Sequence, residues 1–570
     1  MKNPSSLVVG QLSIAPADLA RDADRLLKLL RESEAPKEIV RLLGSPDMLL
    51  LLRRADDAER EDLFLLASPE QVRELVDLAC WKRDRFDGRV LEELLRPLVS
   101  SGPDGAAKAL DEIDDEVRFL LLRRHAIVHL REDRNDEILV PDESEIIESP
   151  DGSYLVELPE PETTPEGIRQ LFQALFRRSF VEYQPELEAL RHELPSETEE
   201  RAFGFRQGRM ADLGFGTREE GLALLSPREP SAVRRIAEDG GPVPPVPDDL
   251  SLPALYRGGL AGNALLDAAL SRIRELADRQ GALDERRFRR ALALDAELGA
   301  MTSLLLSAVE CDLGDPEEIA RRVCWARDLL ALGLESVFEG DAERAAAGLL
   351  SQAPGLFVQA AMGVLEPLRR RSRALLADPR LVAGGRRCGL LDPPHQVAVE
   401  TAALELPSRW PPLDEGMDLS CAPLEPLPWE IAPFADRGQV RRAVRLIEEA
   451  EAVARELTGR QGWQPVGDGE ASASRLVINA LCQASLGREP RPAPLSAKAA
   501  GRFTAEILAA AEDDLLRDAL AALGPVLGCG GASGPSPLED DDPTLRMLTR
   551  LVLIGRARLA GGEPLHGARL

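Results

Sequence analysis

The chain has 570 residues, 44% of them apolar and 29% charged, which is ordinary globular usage and excludes wholesale disorder. With 70 Lys plus Arg against 98 Asp plus Glu, the formal net charge of -28 excludes the basic footprint of a nucleic-acid binder or an anionic-lipid surface. Aromatics at 4% leave cores of Leu, Ala and Val, which favours helix over sheet.

Seven cysteines, spread singly and without a Cys-x-x-Cys, point to reduced thiols and a cytosolic setting. Met1-Lys2-Asn3-Pro4 does not open the charged-then-apolar pattern of a secretory signal. No uninterrupted run reaches the roughly 18 apolar residues of a membrane span.

Residues 1–131 read as an N-terminal domain of stacked short helices. Between Gly44 and Leu98, apolar runs of two to three turns alternate with start signals such as Asp56-Asp57 and Ser68-Pro69-Glu70-Gln71. Ser68 can cap, Pro69 suits the first helical position, and Gln71 closes a capping box. Helices this short must stack on one another to persist. The periodicity carries a last helix over Val117–Leu130, with His125 and His129 four apart on one face.

Residues 132–163 form an acidic insert, with twelve Asp or Glu against one Arg, eleven of the 28 net negative charges. Within it, Glu145–Glu148 and Tyr154–Glu157 flank Ser149-Pro150-Asp151-Gly152, which reads as a β-hairpin. A helical segment over 164–238 follows. One helix is expected from Pro165 through Phe180, and another from Ser196 that ends in a Schellman arrangement at Leu213-Gly214-Phe215. Thr217 with Glu220 then opens the next helix.

Residues 239–253, with five prolines and two glycines, form a linker. The central helical domain, 254–390, carries expected helices at Asn263–Gln280, Asp284–Leu305, Pro316–Leu334 and Asp341–Leu350. A proline-rich connector spans 391–433. The C-terminal helical domain, 434–570, carries helices at Gln439–Leu457, Ser474–Leu486, Ala497–Leu523 and Pro543–Leu559, with a Gly/Ser/Pro loop at Gly528–Pro537. No fixed-period repeat supports a regular solenoid.

Few residues suggest chemistry. His125 and His129, with Glu132 and Asp133 beyond, offer part of a metal-ligand set, but without the zincin Glu or a third ligand; packing histidines are the preferred reading. The acidic insert offers carboxylates for Mg²⁺ or Ca²⁺ but no EF-hand spacing, so a solvated hairpin is preferred. Arg369-Arg370-Arg371, Arg373, Arg380 and Arg386-Arg387 suit an anionic partner, the protein's own acidic hairpin, or a plain helix end favoured by the macrodipole. Gly204, Gly208, Gly214 and Gly216 imitate a phosphate loop without its Lys-Ser/Thr ending, and Cys311, Cys324 and Cys388 with His395 lack zinc or nucleophile spacing. Trp81 and Trp325 read as core anchors.

Leu78-Ala79-Cys80-Trp81-Lys82-Arg83-Asp84, Arg209-Met210-Ala211-Asp212-Leu213-Gly214-Phe215, Leu391-Asp392-Pro393-Pro394 and Pro433-Phe434-Ala435-Asp436 occur in that order. Together they resemble an uncharacterised domain-of-unknown-function family of large helical bacterial proteins, deltaproteobacterial in type, over most of the chain. The resemblance implies a bacterial, cytosolic protein and brings no activity or site residue with it. Residues 36–100 also resemble, in style, the stacked helices of the cytosolic N domain of MgtE-type magnesium transporters, which implies architecture alone.

The expected fold is mainly α, stacked short helices with a small β-hairpin insert. The expected function is that of a non-enzymatic cytosolic interaction or scaffold protein, with protein partners and no cofactor, nucleic acid or membrane insertion. The alternatives are a divalent-cation-responsive regulator and an enzyme with an unrecognised site.

Overall fold

Start signals every ten to fifteen residues break the apolar pattern into short helices, and the chain folds accordingly. The computed structural model describes residues 7–9, 12–14, 23–82, 84–131, 141–162, 164–212, 215–239, 260, 262–279, 281–309, 311, 316–383, 385–413, 431–458, 472–529, 538, 540–562, 565 and 568–569. A hairpin of β1 (Leu7–Val9) and β2 (Leu12–Ile14) precedes α1 (Ala23–Glu32), α2 (Pro36–Leu42), α3 (Ser45–Arg54), α4 (Asp57–Leu66) and α5 (Pro69–Ala79). Asp56 with Glu59 and Ser68 with Gln71 close capping boxes on α4 and α5. The two-residue ladder β3 (Trp81–Lys82) and β4 (Arg85–Phe86) then leads into α6 (Gly88–Ser100), α7 (Pro103–Glu112) and α8 (Asp115–Arg123).

The helix expected over Val117–Leu130 is corrected. It stops at Arg123, and Ile127–Leu130 is a strand, β5. The expected hairpin is present as β6 (Glu145–Glu148) and β7 (Tyr154–Leu158), and β5 joins it in an antiparallel sheet of order β5-β7-β6. Val128 faces Val156 in that register, so the ladder satisfies the β5 backbone and a helix gains nothing there. Every residue of β7 is buried, including Glu157, so this part of the insert belongs to the core rather than to solvent.

The helix expected from Pro165 to Phe180 ends at Leu175 as α9 (Glu166–Leu175), and a helix not expected, α10 (Phe180–His192), follows where Ser179 and Glu182 form a capping box. Next come α11 (Pro195–Asp212), α12 (Arg218–Leu224) with its Thr217–Glu220 capping box, and α13 (Pro230–Asp239). The Phe215 amide reaches the Met210 carbonyl at 2.8 Å, the long return bond of a Schellman ending, while Leu213 and Gly214 lie outside the described residues. Beyond Asp239, the expected linker also lies outside them.

The central helices match their start signals: α14 (Ala264–Asp278) capped by Asn263, α15 (Glu285–Ala308) capped by Asp284, α16 (Pro316–Phe338), α17 (Ala342–Ser351) capped by Asp341, and α18 (Pro354–Leu376). A Cβ on Gly333 of α16 would stand 1.8 Å from the Phe357 carbonyl oxygen, so only glycine lets α16 and α18 pack this closely. The proline-rich stretch after residue 391 contains a buried helix, α19 (Pro393–Ala402), whose first two positions are the prolines. Two-residue strands β8 (Ser408–Arg409) and β9 (Ala432–Pro433) pair around residues outside the description.

In the C-terminal part, α20 (Arg437–Ala452) runs into a π-turn at Val453–Leu457, followed by α21 (Ala473–Ser485) and β10 (Leu495–Ser496). The single helix expected over Ala497–Leu523 is α22 (Ala497–Ala509) and α23 (Glu512–Leu527), divided where Glu512-Asp513-Asp514 start a new helix. The long helix α24 (Pro543–Ala560) and β11 (Ala568–Arg569), parallel to β10, close the chain.

The buried side chains fall into two large clusters. One holds residues from Leu26 to Phe215 and forms a first lobe; the other runs from Leu225 to Leu565. Leu306 of α15 and Ile319 and Val323 of α16 belong to the first cluster although their helices lie in the second lobe. Among the described residues one helix, α15, is long and apolar enough by length and composition to cross a membrane, and half of that stretch is buried in the fold.

Candidate functional site: a cleft where the lobes meet

The end of α5 fixes one wall. Asp77, with no exposed surface, accepts hydrogen bonds from Arg209 Nε at 2.5 Å and Nη2 at 2.9 Å, and Arg209 Nη1 reaches Asp114 at 2.7 Å. Donating to Asp77 holds the Arg209 guanidinium above its usual range, while burial raises Asp77 against the pull of Arg209, and the bridge joins α5, α11 and the start of α8. Trp81 follows on β3, meeting Phe86 across the ladder at a ring distance of 5.4 Å and Phe203 of α11 at 5.7 Å. It is an anchor of the first lobe, as expected, and it also faces open space.

That space is a cleft of about 980 Å³. Arg53, Trp81, Phe203, Arg206, Met210 and Phe215 line it from the first lobe, Thr217 and Arg218 from the α12 start, and Leu306, Ser307 and Glu318 from α15 and α16. Gly221 lets α12 lie on α15, since a Cβ there would stand 2.3 Å from the Leu304 carbonyl oxygen. The lining includes the cationic Arg53, Lys82, Arg206 and Arg218 and the acidic Asp84, Glu219 and Glu318. Such a site binds an apolar body carrying a few polar groups.

Arg206 is its most distinctive residue. Its Nε donates to the Asp77 carbonyl at 2.8 Å, and its guanidinium carbon sits 5.7 Å from the Trp81 ring centre and 5.9 Å from that of Phe203. Burial lowers its affinity for the proton, although Asp77 opposes this. The indole Nε1 of Trp81 is buried with no acceptor among the described residues. Nearby, burial pushes the Cys80 thiol well above its usual range, which leaves it a packing group.

Of the candidate residues singled out in the sequence, Trp81, Gly216 and Cys311 line this cleft, and the others lie elsewhere. His125 and His129 do not share a helix face: His125 follows α8 with Nε2 at 2.7 Å from Glu92 Oε1, and His129 on β5 has Nε2 at 2.7 Å from Glu157 Oε2. Among the described residues no group of three or more His, Cys, Asp or Glu is placed to hold a metal ion. Arg371 pairs bidentately with Glu451 at 2.8 Å, Arg373 donates to the Ala403 carbonyl, and Arg380 pairs with Asp378, so these three arginines bind their own lobe. Gly204 and Gly208 are interior to α11 rather than in a loop. Cys388 lies 3.6 Å from the Leu375 carbonyl oxygen, while His395 is engaged with Glu449. Trp325 is half-buried beneath Arg322, whose guanidinium is 4.7 Å from its ring centre. The six described cysteines are all free thiols.

A second polar assembly lies inside the other lobe. Glu449, fully buried, has His395 Nε2 at 3.0 Å and accepts from Arg550 Nε at 2.5 Å. Arg546 bridges Glu448 and the Asp540 carbonyl, and buried Asp392 accepts from the Ser474 amide and hydroxyl. These acids and arginines hold α19, α20, α21 and α24 together, while His395 Nδ1 has no partner among the described residues.

Two signals for these sites were present in the sequence. Trp81, Met210 and Phe215 belong to the stretches that carry the family resemblance, and both stretches meet at the cleft. Arg546 and Arg550, four apart among the apolar residues Leu545, Met547, Leu548, Leu551 and Val552 of α24, announce a buried acid. No curated protein and no solved structure matches the chain. The model of the family of unknown function DUF6178 matches residues 19–527, and the chain therefore belongs to that family.

Proposed function

We propose that this is a protein-interaction protein of the bacterial cytosol and that the cleft between its lobes receives a segment of its partner. The observation that carries the reading is the cleft itself, which is open, about 980 Å³, and walled by Trp81, Phe203, Phe215 and Arg206. Tryptophan and arginine are the residue types that dominate binding energy at protein interfaces, where they act from partly desolvated pockets. Free cysteines and an acidic surface support the cytosolic setting.

Photo-crosslinking tests it. With p-benzoylphenylalanine in place of Gln207 on the cleft wall, irradiation of intact host cells should yield one discrete protein adduct. The same group at Asp513, exposed on α23, should not yield it. No adduct at 207, or the same adducts at both positions, would overturn the reading.

A further inference from the structure

We infer that the partner segment is an extended peptide carrying a single carboxylate among apolar side chains, with the carboxylate held by Arg206. This rests on the interaction reading and specifies what the cleft recognises. Arg206 Nε is fixed on the Asp77 carbonyl, which sets the plane of the guanidinium against Trp81 and Phe203. Its two Nη groups have no acceptor among the described residues, and the side chain lines the cleft. A planar fork held from behind and open in front matches a carboxylate in two parallel hydrogen bonds. Behind the same wall the buried indole N–H of Trp81 also has no acceptor among the described residues.

The rest of the wall sets the context of that charge. Met210, Phe203 and Phe215 offer apolar surface on either side of the guanidinium. Asp84, Glu219 and Glu318 at the same cleft, together with a molecular net charge of -28, disfavour a polyacidic ligand. One carboxylate, read at close range where screening by salt is weak, flanked by Leu-like or aromatic residues, satisfies both conditions.

The test is selection of a displayed random dodecapeptide library on the full chain, followed by fluorescence anisotropy of the enriched peptides. Enriched sequences should share one Asp or Glu beside apolar residues. Replacing that acid by its amide should weaken Kd about tenfold or more on the unaltered protein. Arg206→Gln should weaken the parent peptide by the same factor and leave the amide peptide unchanged, because both changes remove one contact. The amide peptide needs no altered protein, so a folding defect in R206Q cannot mimic the result. Enrichment of peptides without an acid, no enrichment at all, or affinity indifferent to the amide change would overturn the inference. An adduct at position 207 mapping to a partner segment without a carboxylate would overturn it while leaving the interaction reading intact.

Discussion

A carboxylate with no exposed surface must find its compensation inside the protein, and Glu449 finds it in His395, Arg546 and Arg550. Burial alone would raise its proton affinity, but the hydrogen bonds and charges of His395 and Arg550 hold it below the usual carboxylate range. A carboxyl lowered in this way adds stability that is present above its unfolded value and is lost as pH falls through its folded one. Glu449→Gln leaves Arg550 facing a neutral group in a dry site and should cost about 3 kcal/mol in urea unfolding near neutral pH, with less loss in acid. Glu297 behaves in the opposite sense. Burial pushes it up from 4.5 to about 7 in spite of Arg290, so the folded state binds the extra proton and stability falls as pH rises through that window. Glu297→Gln should flatten this fall by about 1–2 kcal/mol between about pH 5 and about pH 8, measured as the change in urea midpoint at each pH. Arg290 and Glu297 stand seven apart on α15, but the other pairings are not visible locally. Arg550 lies 101 residues from Glu449 and Arg209 lies 132 from Asp77, so only the anomaly of an arginine on an apolar face is legible in the sequence.

Elements governed by local chemistry were the legible part of the fold. The Ser68–Gln71 and Thr217–Glu220 boxes and the Asn263, Asp284 and Asp341 caps need only residues within one turn, and each forms where the sequence places it. Ile127–Leu130 reads differently, because its apolar spacing suits a helix continuing from α8 and its strand partner, β7, begins 24 residues further on. The prolines of α19 likewise read as a connector, although Pro393 and Pro394 occupy the opening turn where their missing amides cost nothing. Gln71 shows how a local device acquires a second role. Its Oε1 accepts from the Ser68 amide, and its Nε2 donates to the Val40 and Leu43 carbonyls at the end of α2. Ser68→Ala should therefore cost about 1 kcal/mol, the usual worth of a cap. Gln71→Ala should cost about 2 kcal/mol, because it also strands the Leu43 carbonyl and leaves that of Val40 only its bond from the Leu43 amide. Urea midpoints of the two variants that came out equal would show that the link to α2 contributes nothing.

At the scale of the molecule, the two lobes share helices rather than merely touching. On α15, Leu305 packs into the core of the second lobe and the adjacent Leu306 into that of the first. On α16, Ile319 and Val323 serve the first core while Ala326 and Leu329 serve the second. The cleft follows from this sharing, since α15 and α16 supply its far wall through Leu306 and Glu318. It could not be read from the sequence because its lining is drawn from residues between 53 and 318, brought together by the packing of α5 on α11 and of α12 on α15. Shared helices also make a sharp demand on stability. If the lobes were independent, shortening Leu306 would loosen only the lobe in which α15 lies. Because its side chain fills the other core, Leu306→Ala should open a cavity there and cost about 2–4 kcal/mol. Hydrogen exchange followed by mass spectrometry should then show faster amide exchange in α5 and α11, far back in the sequence, with α18 and α24 unchanged. Loss of protection confined to α15 and its second-lobe neighbours would mean that the two cores are separable and that the cleft is a gap between independent bodies.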